Sequence, residues 1–350
     1  RARLEELLRQ VSHVRLVVFG DYFLDHYLML DRRLSEVSVE TDLEAYHVTE
    51  TRKYTGAAGT LVSNLRALGV NVLALGLHGD DGSGYALRKR LIANGVDVRG
   101  LMEIPVYATP TYLKPMMREL DGTVLELNRM DTKNRTPLDP ALESALIEKM
   151  EALLAEADGM LVVDQVSEHN CGVVTDRMRT VLQRLSAADP QKIISVDSRD
   201  FLALYTGVML KSNVSEALRA AGMERLPGET TIACAERCGR ALNARTGKPV
   251  IITLGCEGLY LYQNAQNGGC FIPAIPVSGP IDIVGAGDSV NAAVGAALCA
   301  GATFEEAGIL GNLVASVVIQ QIGVTGTASP AQVMQQYQLK LEALPAGADR

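Results

Sequence analysis

This chain carries few of the patterns that announce a function at once. Its six cysteines (Cys171, Cys234, Cys238, Cys256, Cys270 and Cys299) form no CxxC pair and no zinc-type Cys/His spacing, which excludes the common structural zinc sites and redox dithiols. Each falls in an apolar or helix-like context, so buried free thiols in a reducing compartment are expected. His13, His26, His47, His78 and His169 sit in no nucleophile or metal motif and read as structural. No GxxxxGK[ST] segment occurs, so a Walker-type NTPase is excluded. Acidic residues outnumber basic ones, giving a net charge of −8 with no polybasic run, which argues against a nucleic-acid partner. The longest largely apolar run, Ala292 to Thr303, is too short to cross a membrane. Arg1 to Gln10 reads as a charged helix without the apolar core of a signal peptide. These absences point to a cytoplasmic protein with neither membrane nor nucleic acid among its partners.

What is present is an alternation. Short β-branched runs at Arg15–Phe19, Val72–Leu77, Met160–Val163, Lys192–Val196, Val208–Leu210 and Val250–Leu254 predict strands. Longer periodic stretches predict helices at Leu61–Leu68, Gly84–Asn94, Pro140–Ala155, Val173–Ala187, Thr231–Arg245, Ser289–Ala300, Phe304–Gln321 and Ala331–Leu344. Strand–helix alternation is the signature of an α/β fold, a doubly wound and mainly parallel sheet with helices on both faces. Leu28–Val48 and Tyr107–Met130 break the rhythm with polar alternation and turn signals such as Asp121-Gly122. They predict a small β appendage over the main sheet. The expected division is a main domain of 1–27, 49–106 and 131–350, with a discontinuous β lid of 28–48 and 107–130. An isolated two-stranded appendage has exposed edges, so a homodimer joined through the lid is expected.

In open α/β sheets, ligands bind beyond the carboxyl ends of the strands. The predicted strands end in polar residues there: Gly20, Asp21 and Asp25; Asp164; Asp197 and Arg199; Lys211 and Asn213; Gly255 and Gly258. The densest feature is Asp282-Ile283-Val284-Gly285-Ala286-Gly287-Asp288, two glycines and an acid at the mouth of a long apolar helix. A helix start offers unpaired N–H groups and a positive dipole end to an anion. Asp288 then stands beside that anion as an acceptor for a hydroxyl proton, the pairing phosphoryl transfer needs. An ordinary helix cap is the rival reading of Asp288. A dinucleotide fingerprint nearly appears here, but Val290 stands where its third glycine belongs, and the preceding Phe271–Pro280 is proline-rich. A second small-residue turn, Gly56-Ala57-Ala58-Gly59-Thr60, opens the next helix, with Thr60 a natural cap. Gly79–Gly84 reads as a turn and N-cap.

On these residues the chain resembles the ribokinase/PfkB carbohydrate kinases over about residues 14 to 335. The matches fall in order: Gly20 with Asp25, Gly56, Gly79-Asp80-Asp81-x-x-Gly84, Asn213-x-x-Glu216, Thr253-Leu254-Gly255-x-x-Gly258, Asp282 to Asp288, and Gly323-Val324-Thr325-Gly326-Thr327. The resemblance implies a ribokinase-like fold and ATP-dependent transfer to a sugar or sugar-phosphate hydroxyl with Mg²⁺. It assigns Asp288 as the base, of depressed pKa at a helix start, and the amides of Gly285, Ala286 and Gly287 as the cradle of the γ-phosphate. Asn213 and Glu216 are assigned to Mg²⁺ through water. Thr253, Gly255 and Gly258 fall to the nucleotide phosphates, and Asn312 to the adenine. The sugar falls to Asp25 with the turn of Gly56, Ala57 and Thr60. Within the family the cues are closest to heptose-7-phosphate kinases, from Gly20-Asp21-x-x-Leu24-Asp25-x-Tyr27, Pro110-Thr111-x-x-Lys114 and Arg129-x-Asp131. That likeness assigns Lys114 and Arg129 to a phosphate already on the substrate. Fructose, ribose, a nucleoside or a hexose phosphate stay open as acceptors, as does a non-catalytic sugar-binding protein. Ala57 and Thr60 replace the family's usual glycine and asparagine, and Ile283 replaces a threonine beside the monovalent-cation loop, which weakens any K⁺ dependence.

Overall fold

The chain folds as a large sheet sandwiched between helices, with a smaller sheet rising from one edge. The computed structural model describes residues 1–342. Besides a two-residue pairing of Glu36–Val37 with Glu44–Ala45, its strands in chain order are β1 (Arg15–Gly20), β2 (Tyr22–Asp31), β3 (Val48–Ala57), β4 (Asn71–Gly79), β5 (Asp97–Ile104), β6 (Thr111–Arg118), β7 (Val124–Glu126), β8 (Met130–Thr132), β9 (Gly159–Asp164), β10 (Ile193–Ser198), β11 (Met209–Asn213), β12 (Val250–Thr253), β13 (Gly258–Asn264) and β14 (Gly268–Pro273). The helices are α1 (Ala2–Val11), α2 (Ala58–Ala67), α3 (Gly82–Ala93), α4 (Pro140–Ala155), α5 (Asp176–Ala188), α6 (Val214–Ala221), α7 (Thr231–Thr246), α8 (Ala286–Cys299), α9 (Phe304–Val318) and α10 (Pro330–Glu342). The last two residues of the expected helix Ala331–Leu344 lie outside the described residues.

The main sheet runs β14-β13-β12-β11-β10-β9-β1-β4-β5. Every pair from β12 to β5 is parallel, and β13 and β14 close one edge antiparallel. Leu16 to Phe19 of β1 are fully buried, which explains a strand that reads as a continuous apolar run: both its faces are covered. One face is packed by α1, α2, α8 and α9 and the other by α4, α5 and α7, each with its own apolar core. No helix among the described residues is long and apolar enough to cross a membrane.

The smaller sheet has the order β8-β6-β2-β3, with β7 on β6. It reaches past the expected lid bounds, because only Asp21 separates β1 from β2 and the return strand β3 runs on to Ala57. Residues 22–27 and 49–57, assigned above to the main domain, are therefore strands of the lid sheet. The cysteine expectation also shifts. Cys171, Cys234 and Cys238 are buried, but Cys256 is exposed in the turn after β12, and Cys270 and Cys299 are half-buried.

Candidate active site

At the start of α8 the backbone does what its glycines allow. Gly285 is the N-cap with φ +80°, a left-handed conformation that favours glycine, and no side chain caps the helix. Asp288 therefore does not serve as the helix cap. The amides of Gly287 and Asp288 have no partner among the described residues, whereas Ala286 N–H donates to the Ile283 carbonyl at 3.2 Å. Of the expected cradle, the turn engages only the Ala286 amide; those of Gly285 and Gly287 stay without a partner among the described residues, and Asp288 N–H adds a third. Unpaired amides at a helix start form an anion site.

Under this loop lies a buried ion pair. Lys211 at the end of β11 donates to Asp197 of β10 at 2.6 Å. A Cβ built on Gly287 would sit 3.1 Å from Lys211 Nζ, so the ammonium is directly beneath the open amides. Asp288 does not have the depressed pKa expected of an acid at a helix start: its pKa is pushed up to about 7. Burial is the largest cause; Asp197 and Glu216 add to it, while Lys211 and Arg199 pull the other way. Desolvation outweighs the dipole because the first turn of α8 is packed into the molecule. Arg199 is exposed, close enough to act on both Asp288 and Tyr112 of the lid, and has no ion-pair partner among the described residues.

The residues assigned to nucleotide and metal are largely engaged in backbone bonds. Asn213 Oδ1 accepts from Glu216 N–H at 2.9 Å and Glu216 Oε2 accepts from Asn213 N–H at 2.8 Å, a reciprocal capping box at α6. That leaves one Glu216 oxygen without a hydrogen bond; burial raises the Glu216 pKa and Asp197 adds to it, while the Asn213 N–H, Lys211 and Arg219 pull the other way. Among the described residues no three His, Cys, Asp or Glu side chains group as a metal cage. A single free carboxylate oxygen fits a Mg²⁺ held mainly by phosphates and water. Thr253 Oγ1 donates to the Ser212 carbonyl, tying β12 to β11. Gly255 (φ +62°) has open space around its Cβ position, so a ligand can approach its backbone. At Gly258 (φ +121°) a Cβ would lie 2.2 Å from the Ile272 carbonyl, so that glycine is a requirement of the fold. Asn312 donates to the carbonyls of Ile272 and Pro273 and, with Ile275 and Ile309, lines a cavity of about 160 Å³.

One face of the lid gathers aromatic and charged side chains. Strand pairing places Phe23, Asp25 and Tyr27 of β2 beside Gly56 and Tyr54 of β3 and Tyr112 and Lys114 of β6. Phe23 meets Tyr112, and Tyr27 meets Tyr54, edge to face. Asp25 sits in this aromatic floor, 2.7 Å from Lys114 Nζ, and a Cβ on Gly56 would strike Asp25 Oδ2 at 2.6 Å. Lys114 also donates to Tyr27 Oη, and Arg129 is clamped by Asp131 while lying over the Tyr112 ring. Both cations assigned to a substrate phosphate are therefore already countered by carboxylates. Ala57 adopts φ +50°, ψ −117° as N-cap of α2, so Thr60 lies inside the first turn and does not cap it. Its hydroxyl donates to the Thr55 carbonyl.

Other strand-end acids belong to the scaffold. Asp21 accepts from the amides of Gln165, Val166 and Val173. Asp164 is bound by Arg179, Ser198 and Tyr205. Asp81 caps α3 and also accepts from Thr109 N–H.

Comparison with known proteins agrees with this layout. Residues 15–332 match the pfkB family carbohydrate kinase model. The bifunctional protein HldE of Caulobacter vibrioides is 30% identical over 319 residues, covering 90% of this chain and 62% of the relative. That of Nitratiruptor sp. is 28% identical over 308 residues, covering 87% and 61%. The chain thus spans about three fifths of the length of the curated relatives it matches. Arabidopsis thaliana ribokinase, solved with ribose and ATP, superposes with a TM-score of 0.64 at 18% identity, covering 93% of this chain and 98% of that one. Escherichia coli phosphofructokinase-2, solved with fructose-6-phosphate, gives 0.67 at 17% identity, covering 94% and 99%. The fold is ribokinase-like, and the chain belongs to the pfkB family carbohydrate kinases, sugar kinases that transfer a phosphoryl group to an alcohol.

Proposed function

We propose that this chain transfers the γ-phosphoryl group of ATP to a hydroxyl of a sugar or sugar phosphate held between the lid and α8, with a heptose 7-phosphate as the leading acceptor. The observation that carries the reading is Asp288 standing beside the unpartnered amides of Gly287 and Asp288 at the start of α8. The acceptor lies on the aromatic floor, its hydroxyls gripped by Asp25 and Lys114 and its apolar ring face against Tyr27, Tyr54 or Tyr112. Asp288 accepts the proton of the attacking hydroxyl, and a pKa near 7 suits a base working at neutral pH. The open amides and Lys211 stabilise charge on the transferring group. Mg²⁺ would neutralise the nucleotide phosphates, reached through water by the free oxygen of Glu216. The cavity lined by Asn312 would take the adenine. Ile283 offers no side-chain oxygen to a monovalent cation, and its carbonyl already accepts from Ala286 N–H, so K⁺ activation is not expected. Among the phosphate-bearing acceptors, the HldE relatives favour a heptose 7-phosphate, and Arg199 is the uncommitted cation facing the site.

The free thiols suit a reducing, cytoplasmic compartment. Exposed Leu34, Val39, Leu43 and Leu120 around the lid favour a homodimer through that sheet; a monomeric mass by light scattering at micromolar concentration would remove this part.

The function is tested by ADP release with Mg-ATP against free sugars, nucleosides and sugar phosphates, with Asp288→Asn alongside. Turnover on one acceptor, lowered roughly 10²–10⁴-fold in the variant, is expected. Undiminished turnover in the variant sinks the assignment of the base. Sugar binding without turnover on any acceptor favours a binding protein on the same scaffold.

A further inference from the structure

We propose that a cavity on the far side of Tyr54 is a phosphate-binding subsite. The cavity, about 320 Å³, is lined by Tyr54 and Thr55 of β3, Thr60 and Ser63 of α2, Arg90 and Asn94 at the end of α3, and Thr325. No carboxylate lines it. The Arg90 guanidinium lies 5.9 Å from the centre of the Tyr54 ring and makes no ion pair among the described residues. The same is true of hydrogen bonds for the side chains of Asn94 and Thr325. Three potential donors, one of them charged, thus surround one space that holds neutral amide and hydroxyl oxygens but no anionic acceptor, a setting suited to an incoming oxyanion. The helix that supplies Arg90 contains no acid and carries Arg88, Lys89 and Arg90 in succession. Lys89 turns instead to the Tyr85 ring, so Arg90 alone enters the cavity.

The back wall ties this cavity to the transfer loop. A Cβ on Gly285 would lie 2.9 Å from Thr325 Cγ2 and 3.5 Å from Thr60 Cγ2. The front wall, Tyr54, is shared with the aromatic floor around Asp25. A phosphate monoester fits both the volume and the donors. It arrives either on the acceptor, whose sugar then lies on the floor, or on a separate phosphorylated molecule that presses on the loop carrying Gly285.

The test uses the whole chain and two readouts, with Arg90→Gln, Arg90→Lys and Lys89→Gln as variants. Arg90 is exposed at a helix end, so folding is not at stake. Calorimetric binding of inorganic phosphate and of fructose 6-phosphate, without nucleotide, should weaken about 10- to 100-fold in Arg90→Gln, the range of a charge-assisted hydrogen bond pair. Arg90→Lys should recover part of it, and Lys89→Gln should match the wild type. Kinetics then separate the sources. A KM raised only for phosphorylated acceptors, with kcat unchanged, places the acceptor's phosphate in the cavity. Lost binding of inorganic phosphate with every acceptor KM unchanged places a separate phosphorylated molecule there. No binding by the wild type at millimolar probe, equal binding by Arg90→Gln, or equal losses in Arg90→Gln and Lys89→Gln would each overturn the proposal. The kinetic arm rests on the kinase reading, but the binding arm does not, so the two fail independently.

Discussion

Asp288→Asn should stabilise the folded protein at high pH while removing its activity. The folded chain holds the Asp288 proton up to about pH 7, against an ordinary value of 3.8. Because the folded state binds this proton more tightly, the carboxyl favours folding below 3.8, and that advantage is lost as pH rises from 3.8 through about 7. Above pH 7 the wild type folds around a carboxylate in surroundings that penalise charge. The interval between the two values sets an upper bound of about 4 kcal/mol, at about 1.4 kcal/mol per pH unit. Asp288 is only partly buried by its surface, and solvent screening lowers the figure to about 1–2 kcal/mol. Lys211 gives up one neighbouring charge in the variant but keeps Asp197 at 2.6 Å. Calorimetric Tm values from pH 5 to 8.5 read the difference. The variant should melt higher at pH 8, by about 2–4 °C per kcal/mol in a chain of this size, and the gap should close toward pH 5. A variant less stable than wild type at pH 8, or a gap that stays constant with pH, would refute the reasoning.

Three further outcomes follow from the same geometry. The kcat/KM of the wild type should climb with pH through a midpoint near 7, falling about tenfold per unit on the acid side as Asp288 takes up its proton; a flat profile between pH 5.5 and 8 would contradict it. Ala57→Gly should raise stability by about 1 kcal/mol in thermal or urea unfolding, because alanine at φ +50°, ψ −117° is strained and glycine is not. Asp197→Ala should cost about 3–5 kcal/mol by leaving buried Lys211 without its closest counter-charge, and a smaller loss would mean that Asp288 and Glu216 compensate the ammonium.

The parts of this protein legible in the sequence are those whose signal is local. β1, β4, β9 and β10 read as apolar runs because strands buried on both faces need nothing else. β5 escaped because it is an edge strand, Asp97–Ile104, broken by Arg99 and Gly100. The lid bounds slipped because a continuous stretch serves two sheets, and alternation marks a strand without marking which sheet owns it. In the site, the glycines and Asp288 at α8 are contiguous and could be found. The aromatic floor could not, since Phe23, Tyr54 and Tyr112 meet only through strand pairing. Lys211 and Asp197 were each visible as strand ends, but their bond exists only because β10 and β11 lie side by side. The carboxylates in contact with Lys114 and Arg129, the two cations that the family likeness assigns to a substrate phosphate, are not legible either, because Asp25 reaches Lys114 only through the pairing of β2 with β6.

The same comparison explains where the fold concedes stability. Asp21 and Asp164 are as deeply buried as any acid here, yet each is satisfied by amides or by Arg179, Ser198 and Tyr205. Asp288, by contrast, faces open amides with no hydrogen bond of its own, above a lysine held by another residue. Ala57 holds a conformation that alanine disfavours, at the turn opposite Asp25. Groups left unpaired or strained in one place, in a molecule that satisfies similar groups elsewhere, are what a site prepared for an anion and a hydroxyl requires. Ligand binding is then expected to recover part of that cost. A nucleotide and an acceptor added together should raise the Tm of the wild type more than that of Asp288→Asn, whose site has less left to satisfy.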